Sequence, residues 1–442
     1  MGAGAFLEPL VVVVLLAGGA WINRETDVVR SYSRRNGAPY DDRDEEDGVF
    51  EDSRDADIQV PAVPSRAHSP SLINTPEERW RKRNIGCWRW RTQVETPNTA
   101  IFRNRPVSRL LHKFPFLVEC WYWALVYWTY QLGRAFTAVT LKEETVDVAR
   151  RHALQLIQLE QRLHIFWELN IQKFFLARPS ILRWINWLYS FIHIPGTIAF
   201  LVWLYYYTIT RHKRNQSWQL KSTFTGPATG PWLYQARRRT LAVCNLLAFV
   251  VFTLWPCMPP RLLSDESVEG PIGELARSYG FVDTVHSADG ASSVWTSNRF
   301  CNQYAAMPSL HFGYSLMIGI TIMTIPLEPE HNGSSKLPTW LSTRATPKRL
   351  PCARRLLCLA VGFLYPFSIL VAIVATANHF ILDAVAGAIV CGLGWWGNNI
   401  LLNLLPLEDY FLYALRIHKP KPYTAAIPPV SQYRDSEDER LN

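Results

Sequence analysis

Two short stretches near the C-terminal end of the chain hold residues that could do chemistry. One reads Met307-Pro308-Ser309-Leu310-His311, the other Asn378-His379-Phe380-Ile381-Leu382-Asp383. Each stands at the edge of a long apolar segment, where an ionisable side chain is costly to keep and marks function. His379 and Asp383 are four residues apart, so on a helix they share a face. A carboxylate bonded to one ring nitrogen fixes the tautomer and raises the basicity of the other, which is then able to attack. His311 is a second imidazole, free to protonate a leaving oxygen. Pro308 suits the first turn of a helix. The backbone N–H groups of Ser309 and its neighbours would then face a pocket that favours a phosphate. Arg261, just past an upstream apolar run, and Arg299 could neutralise phosphate oxygens, although Arg261 reads equally well as an interfacial anchor. Together these parts point to phosphoryl transfer through a covalent phosphohistidine.

Other ionisable residues read differently. His193 lies inside an apolar run and is expected to pack or hydrogen-bond rather than catalyse. Glu160 and Glu168 are expected on a solvated helix face. The eight cysteines contain no CxxC pair, which argues against a zinc site or a disulfide framework. Cys257 and Cys301 share one expected side of the membrane and could pair, or remain two free thiols. No metal or cofactor is demanded by the chemistry.

The elements that must position these groups are read from the apolar runs. Of 442 residues, 48% are hydrophobic, and they gather in segments long enough to cross a bilayer, roughly 17–25 residues each. Core spans are expected at 115–133, 183–208, 240–257, 305–326, 356–377 and 383–405. Residues 1–22 form a further apolar segment with no preceding Lys or Arg, which favours an N-terminal anchor over a cleaved signal. The expected fold class is all-α: a polytopic membrane protein with a six-helix core, residues 114–405, plus the anchor. Between 146 and 176, Leu156, Leu159, Leu163, Phe166 and Leu169 recur at helical spacing, which predicts amphipathic helices along the interface.

Residues 23–113 hold the acidic run Asp41–Asp47 and then the basic stretch Arg79–Arg91, with few apolar residues to offset ordering entropy. Most of that region is expected to be disordered and cytosolic. Trp80, Trp88 and Trp90 interleave with its basic residues and suit either membrane contact or a solvated linker. The tail, 406–442, is likewise expected to be disordered.

Charge sets the orientation. The formal net charge is +9, but the basic residues flank apolar runs, which favours membrane orientation over nucleic-acid binding. The 209–239 loop carries seven Lys/Arg and no acid, and 327–355 carries six against two acids, so both should be cytosolic. The 258–304 loop carries three against six acids and should be lumenal, which puts His311, His379, Asp383 and Arg261 at the lumenal face. Asn215 and Asn332 match the glycosylation pattern but fall in cytosolic loops and should be unmodified.

PSLH followed by HxxxD, each at a membrane edge, resembles the type 2 phosphatidic acid phosphatase superfamily, and more closely its fungal inositol phosphorylceramide synthase branch. The order of LEQRLHIFWELNIQKFF, YSFIH and PCMPPRL upstream is similar to that branch, so the likeness spans roughly residues 110–405. The resemblance implies His379 as nucleophile, Asp383 as its partner and His311 as general acid. The phosphatases of the superfamily carry a Ser-Arg pair seven and six residues before the nucleophile, where this chain has Ala372 and Ile373. Their Lys-containing first motif is replaced by Met258-Pro259-Pro260-Arg261, and their PSGH by PSLH. These departures fit the phosphotransferase branch.

The expected activity is therefore transfer of a phosphoryl or phosphoinositol group from a phospholipid to a lipid hydroxyl. The alternative is hydrolysis, with water as acceptor. The expected setting is the Golgi or endoplasmic reticulum, with membrane lipids as partners. Two readings from other classes compete: His193, His311 and His379 as haem ligands, or a non-catalytic membrane protein. The haem reading explains neither Asp383 nor the Pro-Ser before His311.

Overall fold

The computed structural model describes residues 4–26, 79–87, 90–140, 143–211, 231–266, 268–284, 304–327 and 353–420. Arg299, Cys301, Asn215, Asn332 and Trp88 lie outside them. In chain order the elements are helix α1 (Gly4–Ile22), strands β1 (Trp80–Cys87) and β2 (Trp90–Pro97), and helices α2 (Pro106–Lys113), α3 (Phe116–Thr140), α4 (Glu143–Arg162) and α5 (Glu168–Leu176). There follow α6 (Pro179–Thr210), α7 (Trp232–Leu254), α8 (Pro271–Ser278), α9 (Leu310–Thr324), α10 (Ala353–Ala375), α11 (Ile381–Gly397) and α12 (Leu405–Ala414). α6 is continuous through two π turns, Leu188–Ile192 and Tyr206–Thr210.

A helix stands at each of the six expected spans. Helices suit this role because in lipid every backbone polar group must be satisfied within the segment. Among the described residues, three helical runs are long and apolar enough to cross a membrane: Pro179–Thr210, Ala353–Ala375 and Ile381–Ala414. They mark the chain as membrane-embedded. α9 is apolar but shorter, and α7 carries Arg237, Arg238 and Arg239 in its first turns. Exposed Leu357, Phe363, Leu364 and Phe367 line α10, as a lipid-facing surface would.

The chain divides into two units. The larger holds residues 1–24 and 116–399. Its packing depends on close approach. A Cβ on Gly387 of α11 would collide with the Ser309 carbonyl oxygen, and one on Gly319 of α9 with the Gly362 carbonyl of α10. Glycine at these positions lets α9 lie directly against both neighbours, the small-residue packing that membrane helices use. α9 carries His311 and α11 carries Asp383, so this contact brings the two motifs together.

α4 reverses an expectation. Its inward face is Ala149, Ala153, Leu156, Ile157 and Glu160, all buried, while Leu159 and Leu163 are 45% and 52% exposed. The leucine stripe was expected along the membrane interface and Glu160 on a solvated face; Glu160 is instead buried, together with Leu156 of that stripe. The inversion has a physical reason: where the surroundings can themselves be apolar, a leucine stripe does not have to face the core.

The smaller unit holds residues 25–115 and 400–442 and adds a two-stranded hairpin to a mostly helical chain. β1 and β2 pair antiparallel, with Trp80 opposite Pro97 and Cys87 opposite Trp90. Part of the stretch expected to be mostly disordered, residues 79–87 and 90–113, is described; 27–78 lies outside the described residues. Arg83 donates Nε and Nη2 to the Asp409 carboxylate at 2.8 and 3.1 Å, and Thr96 donates to the same carboxylate at 2.8 Å. Asn403 exchanges two hydrogen bonds with the Gly86 backbone, at 2.8 and 3.1 Å. α12 thus begins the tail as ordered structure, held by polar partners more than 300 positions away in sequence.

Candidate active site

Between α10 and α11 the chain turns in five residues. Ala377 takes a left-handed conformation (φ 51), and the N–H groups of Asn378 and His379 both donate to the Ile373 carbonyl, at 3.0 and 3.2 Å. Phe380, fully buried, stands at the N-cap of α11. Its side chain cannot accept a hydrogen bond, so Asp383 Oδ2 takes the Phe380 N–H at 2.9 Å.

His379 is buried and its Nδ1 lies 2.8 Å from the Ala306 carbonyl oxygen. A carbonyl only accepts, so Nδ1 carries the proton and Nε2 keeps its lone pair. Asp383 Oδ2 lies 3.5 Å from the same Nδ1, beyond a good hydrogen bond. The carboxylate was expected to fix the tautomer; here a backbone carbonyl does so, with the carboxylate beside it. Ala306 is itself fixed by backbone bonds to Cys257, which pairs also with Tyr304. The fully buried Asp383 further ties the motifs together, because its carbonyl accepts the Ser309 N–H at 2.9 Å.

That last bond changes the role expected of Ser309. Its N–H is spent on Asp383, and its hydroxyl accepts the Phe312 N–H as N-cap of α9. Ser309 is fully buried and builds the helix start. The next two N–H groups, of Leu310 and His311, have no acceptor among the described residues and are the donors a phosphate could meet.

The His311 ring lies 5.8 Å from that of His379, centroid to centroid. It also contacts Tyr189 at 4.6 Å and His193 at 5.0 Å. His193 is buried and its Nδ1 lies 3.1 Å from the Tyr365 hydroxyl, so it hydrogen-bonds as its sequence setting suggested. Its contact with His311 adds a third imidazole to the row, which the sequence reading did not place there.

Arg261 joins the site from the segment after α7. Its N–H donates to Ala377, Nε to the Asn378 side chain at 3.0 Å, and Nη1 to Asp283 at 3.0 Å. Its guanidinium therefore stands beside the residue preceding His379, with its charge faced by a carboxylate. The Asp283 segment is held by Gln172, which bonds both backbone groups of Val282.

The residues sequence reasoning misplaced are Glu160 and Glu168. Both are fully buried. Glu168 Oε1 accepts the Ile381 N–H at 2.8 Å and Glu160 Oε1 the Leu382 N–H at 2.9 Å. Burial pushes the Glu160 carboxyl up to about 9, with Glu168 beside it and Asp383 nearby adding to the shift. Burial also raises Glu168. A signal was present: α11 has phenylalanine where a capping side chain is needed, so its first N–H groups had to find acceptors elsewhere. Among the described residues no group of three or more His, Cys, Asp or Glu is placed to hold a metal ion.

A family model described as the PAP2 superfamily matches residues 154–236, 228–329 and 331–397, more than half of the chain. No curated protein and no solved structure matches at a significant level.

Proposed function

The chain belongs to the PAP2 superfamily, and from that premise we propose that it is a membrane lipid phosphotransferase that works through a phosphohistidine on His379. The observation that carries this reading is the pair of imidazoles: His379 with Nδ1–H held by Ala306 at 2.8 Å, and His311 5.8 Å away at the start of α9. Nε2 of His379 attacks phosphorus as the bond to the leaving oxygen breaks, and His311 in its protonated form gives that oxygen a proton. The imidazolium of His379 is stabilised by Ala306 and by Asp383 at 3.5 Å. In the second step an acceptor hydroxyl attacks the phosphohistidine, His311 takes its proton, and His379 is regenerated. The unbonded N–H groups of Leu310 and His311 and the guanidinium of Arg261 meet the phosphate oxygens. Arg299 is proposed to join them.

The acceptor we favour is a sphingolipid hydroxyl and the transferred group phosphoinositol, as in the inositolphosphotransferase branch. This rests on the departures from the phosphatase pattern at Ala372 and Ile373 and at Met258–Arg261. The proposed setting is a six-helix membrane domain over 114–405 with an N-terminal anchor. Its site faces the lumen of the Golgi or endoplasmic reticulum, as loop charge directs. The test is incubation of the purified protein with labelled phosphatidylinositol, with and without ceramide, alongside phosphatidic acid. Ceramide-dependent transfer of label is expected. Release of free phosphate from phosphatidic acid, with no transfer to ceramide, would overturn the transferase reading and leave a lipid phosphatase.

A further inference from the structure

α11 opens with no side chain of its own at the cap position, and three carboxyls from three elements take its first three N–H groups. Asp383 accepts from Phe380, Glu168 of α5 from Ile381, and Glu160 of α4 from Leu382. Each carboxyl has spent one oxygen this way. The other oxygens, Glu160 Oε2, Glu168 Oε2 and Asp383 Oδ1, are all buried and find no donor. The two glutamates accept from consecutive N–H groups, Ile381 and Leu382, and so lie beside each other. Two buried carboxylates side by side cannot both be ionised without a cation, and no Lys or Arg is bonded to either among the described residues. A single proton between them resolves both problems at once for the pair: it removes one charge and links the two orphaned glutamate oxygens, while Asp383 Oδ1 stays without a donor.

We propose that Glu160 and Glu168 share one proton and act as positioning residues that hold the first turn of α11, and with it His379 and Asp383, in reactive register. The helix start tolerates this arrangement because its N–H dipoles favour the remaining negative charge. The titratable groups facing the pair are Asp383 at the start of α11 and the buried Cys257 thiol. Arg150, on α4, is bonded to Asp147, and Arg261 to Asp283. None of these supplies a cation to the pair. When the shared proton leaves at alkaline pH, the two glutamates repel and the Ile381 and Leu382 anchors loosen. His379 loses its place opposite Ala306. For the stability of the fold the sign is set by Glu160, raised from 4.5 to about 9. Its contribution is fully present below 4.5 and is lost as pH rises towards 9.

The consequence for catalysis rests on the phosphotransfer reading above; the shared proton does not. The full-length chain, purified in detergent, is compared with Glu160→Gln, Glu168→Gln and Glu168→Ala by infrared spectroscopy and by pH profiles of lipid phosphotransfer. Wild type is expected to show a protonated-carboxyl stretch at neutral pH that disappears above about pH 9. Both glutamine variants lose that band, because the amide replaces the shared proton as donor. Glu168→Ala orphans the Ile381 N–H and lowers kcat about tenfold with KM unchanged. Glu168→Gln recovers most of that loss and abolishes the alkaline fall. Absence of the band in wild type, or its persistence in both glutamine variants, would overturn the shared proton. An alkaline fall equal in wild type and Glu168→Gln would overturn the positioning role. If the band behaves as expected but wild type transfers no phosphate, the pair stands and the phosphotransferase reading fails.

Discussion

Glu160, Glu168 and Asp383, gathered at the start of α11, are all fully buried and accept backbone N–H groups; at the start of α7, Arg237 and Arg239 are buried and Arg238 half-buried, and they meet side chains. Arg238 donates to Glu119 at 2.7 Å, with Tyr234 donating to the same carboxylate, and Arg239 donates to the Asn398 and Asn399 amides, each at 3.1 Å. Arg237 lies 3.2 Å over the Trp395 ring. α11 runs from the acids to Trp395 and Asn398, so its positive end meets carboxyls and its negative end meets guanidinium groups. The difference teaches how buried charge is used. A guanidinium matched by a carboxylate is locked at any working pH. A carboxyl that meets helix N–H groups and no Lys or Arg keeps the option of a proton, and the reactive histidine sits next to those.

This contrast can be broken or sharpened by substitution. The largest effect is expected at the acid end in activity: His379→Asn should lower transfer on the order of 10³-fold or more, with the unfolding midpoint unchanged. Equal losses of activity and stability would mean that His379 is structural. At the basic end the effect should be on the fold. Glu119→Ala leaves the half-buried Arg238 without its carboxylate and should cost about 1–3 kcal/mol, measured by denaturant unfolding in detergent. The folded fraction should keep its kcat, and a loss of kcat without loss of stability would erase the distinction between the two ends. Between them, Gly387→Ala forces α11 away from the Ser309 carbonyl, at a cost of about 1–3 kcal/mol. Because Ser309 and Asp383 are bonded across that contact, kcat should fall more than the stability change predicts. The smallest effect near neutral pH is expected for Glu168→Gln. Its unfolding midpoint should decline less than that of wild type as pH rises from 4.5 towards 9, as followed by thermal scans at stepped pH.

How far the sequence discloses this site depends on where each residue's partners come from. His311, His379 and Asp383 were legible because ionisable residues at the edges of apolar runs are rare and costly, and their spacing is local. Helices at the expected spans were legible from apolar length, three of them long and apolar enough to cross a membrane. Glu160 and Glu168 were not, because their partners are the Ile381 and Leu382 N–H groups, more than 200 positions away, and Leu159 on the outward face of α4 blurs the amphipathic signal. Ser309 was identified, but its N–H proved committed to Asp383, a bond across more than 70 positions of sequence. The hairpin of the smaller unit was missed because Arg83 and Thr96 are satisfied by Asp409, which no local window contains. In each miss the deciding partner is distant in the chain.

The central claim is that His379 becomes covalently phosphorylated. Purified protein would be mixed with phospholipid labelled at phosphorus, quenched in alkali within the first turnovers and digested, and the labelled peptide identified by mass spectrometry. An acid-labile, alkali-stable adduct on the peptide containing His379, absent from His379→Asn and accumulating when the acceptor is withheld, is the predicted result. Phosphotransfer that proceeds with no adduct on that peptide, or that persists in His379→Asn, would contradict it.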